Sequence, residues 1–284
     1  MLLKRWLTAA VLIPVLLLIL LKGAPIAFTL LVLIISILSV SEYFKITSYL
    51  SVKSLIKSSL KSPFSDDYIS VVAVKAVAYI LTVSIIAAAH SSSLEMMLIL
   101  ITLNVIAVSL LTVLQFKSGS PILDYISCEI QGVIYIPLFL SFLVLIRNSP
   151  NGAHFVVWLW IIVGLSDTGA YFVGSKFGKR PLAKHVSPKK TIEGSLGGLC
   201  AAGLVGLIYA LIFIDGVSFF MAIIFSVVTA AFSQLGDLFE SALKRSTGIK
   251  DSGSILPGHG GVLDRIDGII FAAPVAYLFK VFIL

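Results

Sequence analysis

The most densely charged stretch of the chain lies between two long apolar runs in its last third. At the end of the first run, Asp237 is followed by Glu240, Ser241 and Lys244, at spacings of three, four and seven residues. These spacings place all four side chains on one face of a helix. An ionisable group at membrane depth costs about 2.5 to 3.5 kcal/mol and normally faces a polar cavity. The pattern therefore predicts a reaction centre, against the alternative of a helix end whose charges are simply in water.

Across the following loop, two further acids, Asp264 and Asp267, stand about one turn apart at the start of the last apolar run. Gathered carboxylates suit Mg²⁺, a hard cation that takes oxygen ligands and bridges to substrate phosphates. We expect Mg²⁺, alone or with a second cation, and we predict Asp237 and Asp264 as its protein ligands. Asp267 could instead pair with Arg265 or Lys244 in a structural role.

A glycine-rich segment, Pro257-Gly258-His259-Gly260-Gly261, leads into that last apolar run. Glycine lets backbone amides approach a phosphate closely, and a helix N-terminus adds a favourable dipole for the same anion. Gly260 and Gly261 are therefore predicted to contact substrate phosphates. His259 has two interpretations, a hydrogen bond to a phosphate or a role in holding the turn.

A second polar loop, residues 174–198, carries six Lys and Arg side chains and a single acid, Glu193. Cationic clusters neutralise polyphosphates, so Lys189 and Lys190 are predicted to bind a nucleotide. The alternative, a loop that is positive only because it faces the cytoplasm, also explains the charge. Asp167, within the preceding apolar run, is a candidate for cation binding or for a hydrogen bond between helices.

Both loops resemble recurrent elements of one enzyme family, the phosphatidate cytidylyltransferases or CDP-diacylglycerol synthases. The first loop matches Ser-Pro-Lys-Lys-Thr-x-Glu-Gly at Ser187, Pro188, Lys189, Lys190, Thr191, Glu193 and Gly194. The second matches Ser-x-x-Lys-Arg, Lys-Asp, His-Gly-Gly and Asp-Arg-x-Asp at Ser241, Lys244, Arg245, Lys250, Asp251, His259, Gly260, Gly261, Asp264, Arg265 and Asp267. Asp167 also resembles the family's acid upstream of an Ala-Tyr pair. The resemblance covers roughly Trp158 to the end of the chain.

The resemblance implies an enzyme that condenses CTP with phosphatidate to give CDP-diacylglycerol and pyrophosphate in phospholipid biosynthesis, as a Mg²⁺-dependent homodimer. The nucleophile would be a phosphate oxygen that is already ionised, so the site must mainly neutralise charge. The residues predicted to act on phosphates or in catalysis are Lys189, Lys190, Lys244, Arg245, Lys250, His259 and Arg265, with Asp251 and Asp267 as second choices. Thr191, Glu193, Ser241, Gly260, Gly261 and Asp167 complete the predicted substrate site.

Apolar helices must position these residues. The 284-residue chain is 58% hydrophobic and 12% charged, with a mean hydropathy of +1.07, which lies outside the balance of an ordinary soluble domain. Cys128 and Cys200 lie within or beside apolar runs and are expected to be buried thiols. Because about 20 helical residues cross the hydrocarbon core, we predict an all-α polytopic membrane protein with about nine transmembrane helices. The predicted spans are 6–21, 25–40, 68–89, 94–114, 126–146, 154–174, 196–214, 217–239 and 266–284.

Orientation follows from the cations, since Lys and Arg accumulate on the cytoplasmic side of a membrane. An odd number of spans with a cytoplasmic N-terminus places most of the 21 Lys and Arg, and both polar loops, inside. We therefore predict an integral protein of the inner cell membrane with a cytoplasmic active site.

The two halves of the chain are predicted to have different roles. Residues 1–150 would form transmembrane helices and residues 151–284 the catalytic region, because eight of the fourteen acids lie from Asp167 onward. Residues 45–67 would form a surface helix or an ordinary cytoplasmic loop.

Two other functions compete with this prediction. A polyprenol or phytol kinase would also use CTP at a membrane site, but the complete signature from Ser241 to Asp267 argues against it. A transporter would share acids within spans and interrupted helices, but inverted repeats are expected there, and here the acids concentrate in one half. The chain has no Walker-type GxxxxGK[ST] stretch, and no nucleic-acid partner is expected.

Overall fold

The computed structural model of the protein describes residues 14–57, 68–115, 122–255 and 260–284, which are mostly helical. Seven helices in these ranges are long and apolar enough to cross a membrane. This confirms the predicted class, an all-α integral membrane protein. The total of nine is not confirmed. Half of the first predicted span, residues 6–13, lies outside the described residues. The ninth span corresponds to a helix that contains Asp264, Arg265, Asp267 and Lys280 and is too charged to count among the seven.

The helices follow one another along the chain, mostly through short connections. They are α1 over residues 14–21, α2 (Pro25–Lys57), α3 (Tyr68–His90), α4 (Leu94–Gln115), α5 (Ile122–Val133), α6 (Phe139–Asn148), α7 (Gly152–Phe177), α8 (Ile192–Phe213), α9 (Phe219–Thr247) and α10 (Leu263–Phe282). A single π-helical turn, Ile134–Leu138, joins α5 to α6. It contains Pro137, which has no backbone N–H to donate to a regular helix.

Local sequence explains several helix ends. Pro25 begins α2, where its missing N–H would have no helical partner. The side chains of Thr191 and Ser218 accept hydrogen bonds from backbone N–H groups three residues further on, at the starts of α8 and α9. At the other end of α9, Gly248 has a positive φ of 80°, the usual conformation of a glycine that ends a helix.

The second helix is longer than its predicted span. It continues from residue 40 to Lys57, through part of the lysine-rich segment 45–67, while residues 58–67 lie outside the described ranges. Because of this extension, the acid Glu42, which lies just beyond the predicted span, is a fully buried side chain inside a helix. This helix therefore carries an ionisable side chain into the protein interior.

The cationic loop between α7 and α8 contains a β-hairpin that the sequence analysis did not predict. Strand β1 (Pro181–Ala183) pairs antiparallel with β2 (Ser187–Thr191), with Pro181 opposite Thr191. The all-α class holds for the membrane-spanning part, but the polar loop has a defined fold of its own. Lys189 and Lys190 therefore lie on a strand.

Small residues let α7 and α8 pack closely along their length. Gly169 of α7 lies against Gly197, Gly198 and Ala201 of α8. Within a membrane, such small residues allow helix backbones to approach and to interact by van der Waals packing. α7 and α8 therefore form a closely packed pair in the second half of the chain.

Polar contacts identify the two ends of the bundle. At one end, Arg147 donates to the carbonyl of Gly23 at 3.0 Å, and Asn148 donates to the carbonyl of His90 at 2.9 Å. At the other end, Arg245 at the end of α9 donates to the carbonyl of Val186 in the hairpin at 3.4 Å. Both long polar loops of the second half thus lie at the same end of the bundle, as predicted. That this end is cytoplasmic stays a prediction.

The two cysteines differ in burial. Cys128 is half-buried, whereas Cys200 is exposed, so the prediction of two buried thiols is wrong for Cys200. Cys200 lies on a stripe of α8 with exposed Leu196, Leu204 and Ile208, spaced four residues apart. This stripe has the composition of a lipid-facing surface.

Candidate active site

A cavity of about 520 Å³ opens between α7, the hairpin, α8 and α9. Its lining includes five residues predicted for the site from separate motifs: Asp167, Lys189, Lys190, Thr191 and Asp237. The aromatic ring of Tyr171 and the small residues Gly174, Gly194 and Ser195 complete much of the wall. Residues that are up to 70 positions apart in sequence therefore face one space.

An ion pair crosses this cavity. The Lys190 ammonium of β2 contacts the Asp237 carboxylate of α9, and both side chains keep about a third of their surface exposed. The Ser241 hydroxyl, one turn along α9, lies 3.5 Å from the other Asp237 oxygen. The Lys190–Asp237 pair therefore remains accessible to a ligand that enters the cavity.

The hairpin is fixed to α8 by two of the predicted substrate residues. The Thr191 hydroxyl accepts the backbone N–H of Gly194 at 3.1 Å. The Glu193 carboxylate accepts the backbone N–H groups of Lys179 and Arg180 at 3.0 and 3.2 Å. In this structure, Glu193 therefore holds the start of the hairpin, which in turn places Lys189 and Lys190.

A polar network that the sequence analysis missed lies under the cavity. Gln234 of α9 donates to the Ser166 hydroxyl at 3.0 Å and to the carbonyl of Ser195 at 3.1 Å, and it accepts a hydrogen bond from the Ser195 hydroxyl. It joins α7, α8 and α9 one turn before Asp237. An amide within an apolar run is a signal that could have been noticed, because such groups seek partners between helices.

Three acids from three helices act on one another near the cavity. Asp237 lies close enough to Asp167 of α7 and Asp267 of α10 for electrostatic repulsion, and Lys190 acts on both of these acids with the opposite sign. Asp267 accepts the backbone N–H of Gly268 at 2.8 Å. Among the described residues, no group of three or more His, Cys, Asp or Glu side chains has the arrangement to hold a metal ion alone.

A second charged cluster joins the end of α9 to the start of α10. The Lys244 ammonium lies 2.5 Å from the buried Glu240 carboxylate and 2.7 Å from Asp264. Asp264 also accepts the backbone N–H groups of Ser252 and Gly261, at 3.0 and 2.8 Å. Burial by itself would raise the pKa of Asp264, but hydrogen bonds from Lys244 and Gly261 outweigh it and lower that pKa below its ordinary value.

Lys244 thus takes Glu240 and Asp264 as partners, and the alternative prediction that it pairs with Asp267 has no support among these ion pairs. The predicted helix face is confirmed, because Asp237, Glu240, Ser241 and Lys244 all lie on α9. Asp237 faces the hairpin and Asp264 faces the loop after α9, so the two predicted metal ligands have different partners.

Four other predicted residues, Arg245, Lys250, Asp251 and Arg265, are exposed at the end of the bundle that carries both loops. Arg265 is close enough to the cavity to act electrostatically on Asp167. Gly260 precedes the start of α10 and lies against the Asp264 carboxylate. His259 lies outside the described residues.

Glu42 of α2 is the largest omission of the sequence analysis. Its fully buried carboxylate accepts hydrogen bonds from the Ser252 hydroxyl at 3.0 Å and from the backbone N–H groups of Val262 and Leu263 at 3.1 and 2.8 Å. The available signal was an acid two residues beyond a predicted apolar span, comparable to the acid within a span that singled out Asp167. It was missed because the predicted span ended at residue 40.

Comparison with known proteins identifies close relatives. The model described as "Cytidylyltransferase family" matches residues 3–283. The chain is 39% identical over 159 residues to a phosphatidate cytidylyltransferase of Staphylococcus saprophyticus, 40% over 147 residues to one of Bacillus subtilis and 38% over 174 residues to one of Thermotoga maritima. These alignments cover 56%, 51% and 58% of this chain and 60%, 55% and 63% of the relatives. The chain thus spans somewhat over half the length of the curated relatives it matches.

Proposed function

Because the chain belongs to the cytidylyltransferase family, we propose that it condenses CTP with phosphatidate to give CDP-diacylglycerol and pyrophosphate, in phospholipid biosynthesis. The observation that carries this proposal is the cavity beside the Lys190–Asp237 pair, which gathers cations and carboxylates at one end of a membrane bundle. The names of three relatives, each a phosphatidate cytidylyltransferase, support the same reaction.

In the proposed reaction, a phosphate oxygen of phosphatidate attacks the α-phosphorus of CTP. A new phosphorus–oxygen bond forms while the bond from the α-phosphorus to the bridging oxygen breaks, and pyrophosphate leaves with that oxygen and the electron pair. Since the attacking oxygen is already ionised near neutral pH, the protein mainly has to position and neutralise charge. The side chains proposed for this role are Lys189, Lys190, Lys244, Arg245, Lys250 and Arg265.

We propose Mg²⁺ as the cofactor, with Asp237 and Asp264 as ligands. Mg²⁺ is usually bound through one or two protein carboxylates together with waters and substrate phosphates, so a pair of carboxylates is a sufficient donor set. Asp237 fits this role because it lines the cavity. If Asp264 bound the cation, it would give up its ion pair with Lys244. The Lys244 ammonium would then be available to a substrate phosphate. When bound there, Mg²⁺ would neutralise charge on phosphate oxygens, and Asp167 and Asp267 are carboxylates available to a second cation.

The proposal is tested by supplying the purified, detergent-solubilised protein with phosphatidate, Mg²⁺ and each ribonucleoside triphosphate in turn. Pyrophosphate release that requires both CTP and phosphatidate, with base label appearing in lipid, is expected. Lipid labelled only from the γ-phosphate would replace the proposal with a kinase. Absence of nucleotide consumption by folded protein would remove the enzymatic proposal.

We also propose that the polar end of the bundle faces the cytoplasm, in the inner cell membrane, and that the protein is a homodimer. The cation distribution supports the first statement. The family resemblance supports the second. A single-chain mass for the active, solubilised protein by light scattering would contradict the dimer.

A further inference from the structure

We propose that Glu42 is a positioning residue for nucleotidyl transfer, which holds the two described ends of the loop between α9 and α10, residues 248–255 and 260–262, in the arrangement that the reaction needs. The inference rests on the proposed function. Glu42 lies on α2, in the half of the chain for which no site residue was predicted. Its side chain is fully buried, so it acts through the loop and not on the substrate.

The Glu42 carboxylate joins the two sides of that loop. It accepts the Ser252 hydroxyl on one side, and the backbone N–H groups of Val262 and Leu263 on the other. The last two contacts also satisfy N–H groups at the start of α10, which have no partner within the helix. One side chain from a distant helix thus links the two sides of the loop and caps the helix that carries Asp264.

Asp264 depends on the same loop residues. The Ser252 residue gives its hydroxyl to Glu42 and its backbone N–H to Asp264, at 3.0 Å in each case. Gly261, whose N–H binds Asp264 at 2.8 Å, directly precedes Val262, whose N–H binds Glu42. Because the two carboxylates hold neighbouring groups of one backbone, loss of the Glu42 contacts would displace Asp264 together with Lys244.

The loop backbone packs closely against the Glu42 carboxylate at two glycines. A Cβ atom on Gly253 or Gly261 would overlap the Glu42 carboxylate. Glycine therefore allows the loop backbone to approach the acid closely enough for these hydrogen bonds. The close fit makes the loop position sensitive to a change in this one side chain.

Glu42 and the three residues that it contacts do not line the proposed substrate cavity. That cavity is formed by the hairpin, α7, α8 and α9. Loss of the Glu42 contacts should therefore lower kcat while leaving the KM for CTP nearly unchanged. A misplacement of about 1 Å at a reacting group can lower a rate about 100-fold, so we expect Glu42→Gln to lower kcat at least about tenfold.

The chain offers a matched control in Glu129 of α5. It is also fully buried and also accepts a side-chain hydrogen bond, from Asn104 of α4 at 3.3 Å. Glu129→Gln therefore makes the same chemical change in the N-terminal half without touching the loop. A general effect of replacing a buried acid would appear equally in both variants.

The experiment compares steady-state kcat and KM for CTP in wild type, Glu42→Gln, Glu129→Gln and Ser252→Ala. Ser252→Ala removes one Glu42 contact and keeps the backbone N–H that binds Asp264, so it tests the proposal even if Glu42→Gln folds poorly.

A spin label measures loop motion independently of activity. The nitroxide is attached to Ser254→Cys in a protein in which Cys128 and Cys200 are replaced by serine. Ser254 is exposed, so the label should not disturb packing.

Support would be a selective loss of kcat in Glu42→Gln, a smaller loss in Ser252→Ala and a more mobile nitroxide when Glu42→Gln is introduced. Equal losses in Glu42→Gln and Glu129→Gln, or activity of Glu42→Gln within twofold of wild type, would overturn it. An inactive wild-type protein would instead contradict the proposed function. In that case an unchanged nitroxide spectrum in Glu42→Gln would still disprove the role of Glu42 in holding the loop.

Discussion

At the scale of single residues, Lys190 and Asp237 are each other's partner in the cavity. A nucleotide phosphate that binds the Lys190 ammonium must therefore compete with the Asp237 carboxylate for it. A charge-assisted hydrogen bond contributes roughly 1.5 to 3 kcal/mol, so Lys190→Ala, alone or with Lys189→Ala, should raise the KM for CTP about tenfold or more. Steady-state kinetics measure this, with Lys184→Ala as control, because Lys184 is an exposed residue at the turn of the same hairpin. An unchanged KM would exclude Lys190 from the nucleotide site.

The two predicted metal ligands should differ in what their substitution does to stability. Asp237→Asn and Asp264→Asn are both expected to abolish turnover. Asp264→Asn should also lower Tm, because the carboxylate holds Lys244 and two loop N–H groups, and each buried donor left unsatisfied costs about 1 to 3 kcal/mol. Thermal unfolding in detergent compares the variants. Equal Tm values would show that the loop contacts of Asp264 contribute little.

Sequence reasoning found the residues whose types and spacing are unusual for a membrane helix. Asp237, Lys190 and Asp167 were predicted separately, and the structure places them around one cavity. Glu42 and Gln234 were missed because their importance depends on partners far away in the chain; Leu263, for example, follows Glu42 by 221 positions. Spacing along one helix cannot indicate such contacts.

At the scale of elements, the close packing of α7 and α8 determines the shape of the cavity. A Cβ on Gly198 would overlap the carbonyl oxygen of Ser166 and crowd Gln234, whereas a Cβ on Gly164 meets nothing within 4 Å. Gly198→Ala should therefore destabilise the protein by about 1 to 3 kcal/mol, in the range of overpacked interiors. Gly164→Ala, on the same helix pair, is the control and should leave Tm unchanged or slightly raised. A similar Tm for the two variants would contradict the packing argument.

Hydropathy located the membrane helices well and the polar elements less well. Each predicted span from 68–89 to 217–239 corresponds to a described helix or, for 126–146, to α5 and α6 joined by the π turn. The hairpin was missed because its strands are held by pairing with each other, for example Pro181 with Thr191, and not by an apolar pattern. The extension of α2 was missed because lysines resembled the end of a span.

At the scale of the whole molecule, the orientation in the membrane is a testable prediction. Lys184 and Asn151 are exposed at opposite ends of the bundle, next to the hairpin strands and before α7 respectively. In a cysteine-free background, Asn151→Cys should react with an impermeant maleimide in intact cells, and Lys184→Cys should react only after the membrane is opened. Labelling with the reverse pattern would place the cavity outside the cytoplasm.

The hydrogen bonds of Glu42 also impose an order on the assembly of the protein. Glu42 is synthesised 221 residues before Leu263, its last partner. At typical translation rates of about 5 to 20 residues per second, roughly ten to forty seconds pass before all three donors exist. During this interval, α2 must keep an acid near the membrane without its final partners, which favours a position open to water. The contacts that join Ser252 to the start of α10 through Glu42 can therefore form only when nearly all of the given sequence has been synthesised.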